Sequence, residues 1–129
     1  MHDIQTTDDI ALLINRFYSK VVKDPVIQHF FTQVVYFSWD THIPIMISFW
    51  DSILLGAGTY KGQPMDKHFA LHKLSAMEHH HFERWLQLWE TTVLELYTGP
   101  VATDAIARAH SIARIMELKM QAGGISFKL

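Results

Sequence analysis

The sequence contains no cysteine, which excludes disulfide bonds and thiolate metal sites. It also lacks a long apolar run, because stretches such as 43–50 fall well short of the roughly 20 apolar residues that a membrane-spanning helix needs. No excess of one charge is present, since the formal net charge is −2 and the isoelectric point is near 6.5. Nucleic-acid-binding proteins carry a basic patch, so we expect neither a nucleic acid nor a membrane as a partner.

The 129 residues fit one domain with a sizeable core, because 49% of them are apolar. We expect a single domain over 1–129, with frayed tails at 1–7 and 123–129. The first residues, MHDIQTTDD, are acidic and contain no apolar signal core, which predicts a cytoplasmic protein. Nine histidines are many for this length, so the histidines are the first candidates for chemistry.

Apolar spacing and helix-ending residues predict an all-α architecture. Asp24-Pro25 ends a first helix, because the residue before a proline avoids the helical region. Thr41 as an N-cap would place Pro44 in the first turn of a later helix, where a proline is harmless. The run Ser75-Ala76-Met77-Glu78 has the capping-box pattern of a helix start. The expected helices are 8–23, 25–31, about 41–55, about 75–98 and about 101–122, with a packed loop at 32–38.

The two long C-terminal helices can pair antiparallel across a short loop at Gly99-Pro100. Helical spacing predicts which of their side chains face the core. In the first of the two helices these are His81, Trp85, Leu88, Trp89 and Leu96. In the second they are Ile106, Ile112, Ala113, Met116 and Met120.

The stretch from 38 to 72 carries the strongest functional pattern. His42 lies near its start, an apolar helix with Phe49-Trp50 follows, and His68 comes after the Gly62-Gln63-Pro64 connection. Two histidines on separate helices, with apolar and aromatic residues between them, suit a flat apolar cofactor held from both faces. This order resembles the haem pocket of the truncated haemoglobins, most closely their third group, and the resemblance covers roughly residues 8–122.

The resemblance implies a truncated globin fold, which is a helical sandwich around a haem with a minimal N-terminal helix and a short proximal helix. His68 would be the proximal iron ligand, because it lies four residues after Pro64, where the family has that ligand. The haem would be noncovalent haem b, since a chain without cysteine has no C-x-x-C-H attachment motif. Lys61 and Lys67 are the nearest cations for the haem propionates.

The resemblance also implies a polar distal pocket. Tyr18 would point its hydroxyl at the bound gas, and Trp85, in HFERWLQLW, would lie over the haem edge with its indole N–H as a donor. His42 would be the distal histidine, which either contacts the gas or swings out as a gate, although Pro44 could rotate it away from the iron. The residues that would pack against the haem or line the cavity are Phe31, Met46, Phe49 and Trp50.

The leading hypothesis is therefore a haem-binding globin for diatomic gases, namely oxygen, nitric oxide or carbon monoxide. Its task stays open among oxygen handling or transport, sensing, and enzymatic chemistry as a nitric oxide dioxygenase or a peroxidase, with a reductase as a candidate partner. The alternative is a small helical module that binds a metal ion through His68 and His72, which share one helix face at i,i+4. Zinc prefers three or four ligands, and no third ligand is obvious in the sequence.

Residues 79–81 are three consecutive histidines. Glu78 and His81 form one Glu-x-x-His pair, but a carboxylate-bridged diiron bundle needs two such pairs and two further glutamates. Consecutive residues on a helix point in different directions, so we expect that His79, His80 and His81 do not converge on one ion. Their expected role is a solvated first helical turn, with His81 partly inward.

Overall fold

The computed structural model describes residues 1–32, 39–56 and 77–121, and every regular element in these ranges is a helix. The all-α class predicted from the sequence is therefore confirmed. The helices are α1 (Thr7–Val21), α2 (His29–Thr32), α3 (Trp39–Leu55), α4 (His79–Leu96) and α5 (Pro100–Gln121). Helix α1 packs against α3 and α4, α4 pairs with α5, and α3 also touches α5. No helix in the described ranges is both long and apolar enough to cross a membrane.

Helix α1 begins with a reciprocal cap. Oγ1 of Thr6 accepts the backbone N–H of Asp9 at 3.2 Å, and the Asp9 carboxylate accepts the N–H of Thr6 at 3.2 Å. These two bonds satisfy N–H groups that have no partner inside the helix. The buried face of α1 includes the predicted distal residue Tyr18 and consists of Ile10, Leu13, Ile14, Phe17, Tyr18 and Val21.

The N-terminal segment is packed, which corrects the expectation of a frayed tail at residues 1–7. Ile4 is 2% exposed, and the Asp3 carboxylate accepts the backbone N–H groups of Val101 at 3.0 Å and Ala102 at 2.8 Å. Asp3 thus caps the start of α5 from a distant part of the chain. Gly99 permits this contact, because it has a φ of +135° and an added Cβ would lie 2.5 Å from Cγ of Asp3. The tail at 123–129 lies outside the described residues.

The segment after α1 is a turn, and the short helix α2 starts only at His29 rather than at Pro25. Asp24 organises this turn, because its carboxylate accepts the backbone N–H of Val26 at 3.1 Å and Nε–H of Arg84 at 2.7 Å. Burial opposes ionisation of Asp24, but these hydrogen bonds and the charge of Arg84 hold its pKa below the usual value. The ion pair ties the end of α1 to α4.

Helix α3 begins at Trp39, two residues before the predicted N-cap Thr41, so Pro44 lies inside the helix rather than in its first turn. A proline there cannot donate the hydrogen bond that would reach the carbonyl of Asp40. The apolar face of α3 outweighs this loss, since Met46 and Trp50 are both buried. His42 consequently lies one turn inside the helix instead of at its mouth.

Helix α4 begins at His79, three residues later than the capping-box pattern at 75–78 predicts. Met77 and Glu78 are not helical, and Ser75 lies outside the described residues. The backbone N–H of Glu78 donates to Nδ1 of His81 at 2.8 Å. His81, at the third helical position, therefore accepts the N–H of the N-cap residue, which is the role that the predicted capping box gave to Glu78.

Alanines form the contact face of α5. The predicted Ala113 and Met116 are buried, whereas Ile106 and Ile112 are only half-buried and the side chain of Met120 is not described. Small side chains allow α4 to approach closely, and Nε1–H of Trp89 donates to the carbonyl of Ala105 at 3.1 Å. The alanines of this face that the pattern missed are Ala102, Ala105 and Ala109.

On α4, four of the predicted core residues are buried and Leu96 is half-buried. The face is wider than predicted, because it also includes a phenylalanine, a threonine and a valine. The hydroxyl of Thr92 donates to the carbonyl of Leu88 at 2.6 Å, which allows this polar residue to be fully buried. The three additional residues are Phe82, Thr92 and Val93.

Candidate functional site

A hydrogen bond between α1 and α3 forms the polar part of the candidate site. The hydroxyl of Tyr18 and Nε2 of His42 lie 2.8 Å apart. The two residues are 5% and 6% exposed, and their rings meet edge to face with centroids 5.0 Å apart. Burial raises the pKa of the Tyr18 hydroxyl well above its ordinary value, so the group stays protonated and can donate.

Apolar side chains share the face of α3 that carries His42. Met46 follows His42 by one helical turn on α3, and Trp50 follows by two turns, so all three share one face. Met46, Trp50 and Trp85 are buried, and Phe49 is half-buried. His42 of the polar pair therefore lies on a helix face that it shares with buried apolar side chains.

Phe17 connects the polar pair to the tryptophan of α4. Its ring meets Tyr18 edge-on with centroids 4.8 Å apart, and it meets Trp85 at 5.6 Å and 88°. Phe17 therefore packs against the ring of Tyr18 on one side and against the indole of Trp85 on the other. Phe17 belongs to the buried face of α1, and its place between the two distal candidates follows from the packing of α1 on α4.

Three tryptophans stack behind the candidate site. The rings of Trp50 and Trp89 are nearly parallel, with centroids 4.5 Å apart and an angle of 26°. Trp89 and Trp85 are parallel within 6°, with centroids 6.0 Å apart. Rigid stacked rings leave little freedom for α3 and α4 to shift, which keeps the walls of the site in place.

The structure places His42 in contact with Tyr18 in spite of Pro44. We expected that this proline could rotate His42 away from the site, but His42 is buried and hydrogen-bonded. Whether His42 reaches a bound gas stays a prediction. The Tyr18–His42 bond itself was not predicted, because the two residues are 24 positions apart and nothing in either local pattern specifies the docking of α1 on α3.

The predicted axial ligand lies outside the described residues. The same is true of Lys61 and Lys67, the candidate propionate partners, and of His72, the second ligand of the alternative metal-ion module. Phe31 lies in α2, but its side chain is not described. The described part of the site is therefore the distal half, and His68 stays a prediction.

Comparisons with known proteins agree on one kind of relative. No family model matches the chain. The chain is 34% identical over 109 residues to group 3 truncated hemoglobin ctb of Campylobacter jejuni, with 82% of this chain and 84% of that protein aligned. The crystal structure of a group III truncated hemoglobin from Campylobacter jejuni superposes with a TM-score of 0.78 at 31% identity, covering 91% of this chain and 93% of that one.

Proposed function

Because the chain belongs to the group III truncated haemoglobin family, we propose that it binds diatomic gases, such as oxygen or nitric oxide, at a haem iron held by His68. The observation that carries this proposal is the buried Tyr18–His42 pair, which packs against Phe17 and shares a face of α3 with the buried Met46 and Trp50. A polar gas ligand needs a few directed donors in a dry surrounding, and the described half of the site offers that combination. The rival metal-ion module through His68 and His72 gives this buried pair no role.

The described residues fit a haem. An apolar macrocycle packs best against buried aromatic and aliphatic side chains, and Met46, Trp50 and Trp85 supply them. When bound, the haem would be held by His68 and would supply an iron that binds a diatomic gas. The chain has no cysteine for covalent attachment, so we propose noncovalent haem b. Lys61 and Lys67 are the proposed partners of its propionates.

Tyr18 is the proposed donor to the gas. Its hydroxyl carries one hydrogen and two lone pairs, so it can accept a hydrogen bond from His42 and still donate its own hydrogen. This requires the tautomer in which His42 carries its proton on Nε2. A tyrosine hydroxyl keeps its hydrogen at neutral pH, and burial raises the pKa of Tyr18 further above its ordinary value.

His42 and Trp85 have supporting roles in this proposal. His42 holds the Tyr18 hydroxyl in one orientation, and removal of His42 from the site would open a path for the gas. The indole of Trp85 can only donate, so it can supplement Tyr18 but cannot take a proton from the site. The surrounding apolar side chains exclude water, which strengthens each hydrogen bond to a polarised ligand.

The direct experiment is spectroscopic. The purified chain, supplied with haem, should show a strong Soret band that shifts on reduction and again with carbon monoxide. Acidified organic solvent should extract all of the haem. A chain that remains colourless after haem is supplied would overturn the proposal, and haem that stays with the denatured protein would overturn its noncovalent attachment. Stopped-flow mixing of the oxygenated protein with nitric oxide would then separate the two tasks, because rapid turnover would indicate nitric oxide chemistry rather than oxygen handling. Repeated turnover would need a reductase.

A further inference from the structure

The start of α4 holds a cluster of imidazole and carboxylate groups away from the distal pair. Potential ligand atoms of Glu78, His80 and His81 lie within 4.8 Å of one another. The rings of His80 and His81 have centroids 4.0 Å apart, and the ring of His29 lies 5.9 Å from that of His81. The proposed gas-binding function uses none of these side chains.

As expected, the three consecutive histidines do not all converge on one point, but His80 and His81 lie close together. His79 turns towards α5, where Nδ1 lies 2.7 Å from Glu117, and its Nε2 lies 3.3 Å from Glu83. His80 and His81 stay together with Glu78, because Glu78 has an extended backbone and is not part of the helix. The non-helical residue before α4 thus brings a carboxylate back to the first turn, which a purely helical pattern does not predict.

We propose that Glu78, His80 and His81 form a second site, which binds a divalent transition-metal ion such as Zn²⁺, with His29 as the candidate fourth ligand. Imidazole and carboxylate groups are the ligands that zinc, copper and nickel accept at sites without thiolates. The side chains of Glu78 and His80 are 69% and 59% exposed, so an ion can enter from solvent and keep bound water.

The geometry requires a small adjustment. Zinc–ligand bonds of about 2.0–2.2 Å bring ligand atoms closer together than the present spacing. The exposed side chains of Glu78 and His80 can change rotamer to close this gap, whereas His81 is anchored against the ring of Phe30, with centroids 4.8 Å apart. His81 is therefore the fixed ligand of the proposed site, and the two exposed side chains close around the ion.

Metal binding must compete with the cap of α4. A neutral imidazole carries one proton, and Nδ1 of His81 now accepts the N–H of Glu78, so Nε2 carries that proton. Coordination through Nε2 moves the proton to Nδ1, and coordination through Nδ1 occupies the acceptor itself. Either mode ends the Glu78–His81 hydrogen bond, so we expect micromolar rather than tighter affinity.

The test is calorimetric titration of Zn²⁺ into the haem-loaded, untagged chain, with the Soret band recorded alongside. We expect one equivalent to bind without a change in that band. His80→Ala and Glu78→Gln should each weaken binding by at least about tenfold, which corresponds to about 1.4 kcal/mol. Both replaced side chains are largely exposed, so these variants should melt at the temperature of the unmodified chain.

The controls are His79→Ala, whose ring turns towards Glu117, and His110→Ala, which is exposed on α5. Both should bind as the unmodified chain does. Loss of affinity in His79→Ala equal to that in His80→Ala would show that the histidine run binds without a defined site. Absence of saturable binding, or binding that only His72→Ala abolishes, would equally overturn the proposal. The gas-binding function would be untouched by any of these results.

Discussion

Nε2 of His42 on α3 and the hydroxyl of Tyr18 on α1 lie 2.8 Å apart in a hydrogen bond that joins the two helices. The two residues are 24 positions apart in the chain. Both groups are buried, so neither can exchange this partner for bulk water without a conformational change. The cost of leaving one buried polar group unsatisfied is about 1–3 kcal/mol. The pair therefore couples the orientation of a donor at the site to the packing of α1 on α3.

Replacement of Tyr18 by phenylalanine tests the donor. It removes one hydroxyl and keeps the ring against Phe17, so the aromatic packing should survive. Hydrogen bonds to charged groups contribute roughly 1.5–3 kcal/mol, so oxygen dissociation should accelerate about ten- to a hundredfold. Carbon monoxide is barely polarised, so its dissociation should change far less. Flash photolysis and ligand-replacement kinetics measure both rates, and equal acceleration of the two gases would mean that the hydroxyl does not face the ligand.

Replacement of His42 by alanine tests whether this residue positions Tyr18. The Tyr18 hydroxyl stays but loses a partner, so oxygen dissociation should accelerate less than in Tyr18→Phe. Entry of both oxygen and carbon monoxide should become faster, because a buried ring is removed from α3. The free energy of unfolding should also fall, by about 0.5–1.5 kcal/mol for the lost Tyr18–His42 hydrogen bond. Unchanged entry rates combined with oxygen release as fast as in Tyr18→Phe would instead make His42 a direct donor.

The two candidate axial ligands can be separated by a pair of matched variants. His68→Ala should abolish stable haem incorporation, or leave haem that added imidazole rescues, because the iron loses its proximal ligand. His72→Ala, one helical turn further on, should keep the Soret band and its position. If His72→Ala loses haem while His68→Ala retains it, the assignment is wrong by one turn.

Much of the fold was predictable because its signals are local. The apolar repeat of α1 and the turn at Asp24-Pro25 predicted the bounds of that helix to within two residues at either end. The predicted truncated globin fold is confirmed. Met46, Trp50 and Trp85 were assigned to the site by resemblance, and all three are buried. Their position against a haem stays a prediction, since the structure supports only their burial and their mutual arrangement.

The parts that were mispredicted depend on contacts between distant residues. The apolar face of α3 allows the helix to extend past Pro44 to Trp39, against the local preference of proline. Alanines are weak signals of burial in a sequence, so the spacing of apolar residues did not predict that α5 packs against α4 through alanines. The N-terminal tail looked frayed because its partners, Val101 and Ala102, lie about a hundred residues away.

The contact between Asp3 and the start of α5 predicts a measurable dependence of stability on pH. Burial opposes ionisation of Asp3, but hydrogen bonds from Val101 and Ala102 hold its pKa below the ordinary value. The contribution of Asp3 to stability is therefore complete above the ordinary aspartate pKa, and it is lost as the pH falls through the lower pKa of the folded state. Loss of a helix cap costs about 0.5–2 kcal/mol, so Asp3→Ala should lower the free energy of unfolding by that amount at neutral pH.

Asp3→Asn separates the charge from the cap in urea unfolding curves recorded between neutral and acidic pH. Asparagine keeps one oxygen that can accept an N–H of α5. Asp3→Asn should therefore lower the free energy of unfolding at neutral pH by less than Asp3→Ala does. It cannot titrate, so the difference in stability between Asp3→Asn and the unmodified chain should shrink as the pH falls. Glu90→Gln, an exposed change on α4, should leave stability nearly unchanged throughout. If Asp3→Ala unfolds at the same urea concentration as Glu90→Gln at neutral pH, Asp3 does not cap α5 in solution.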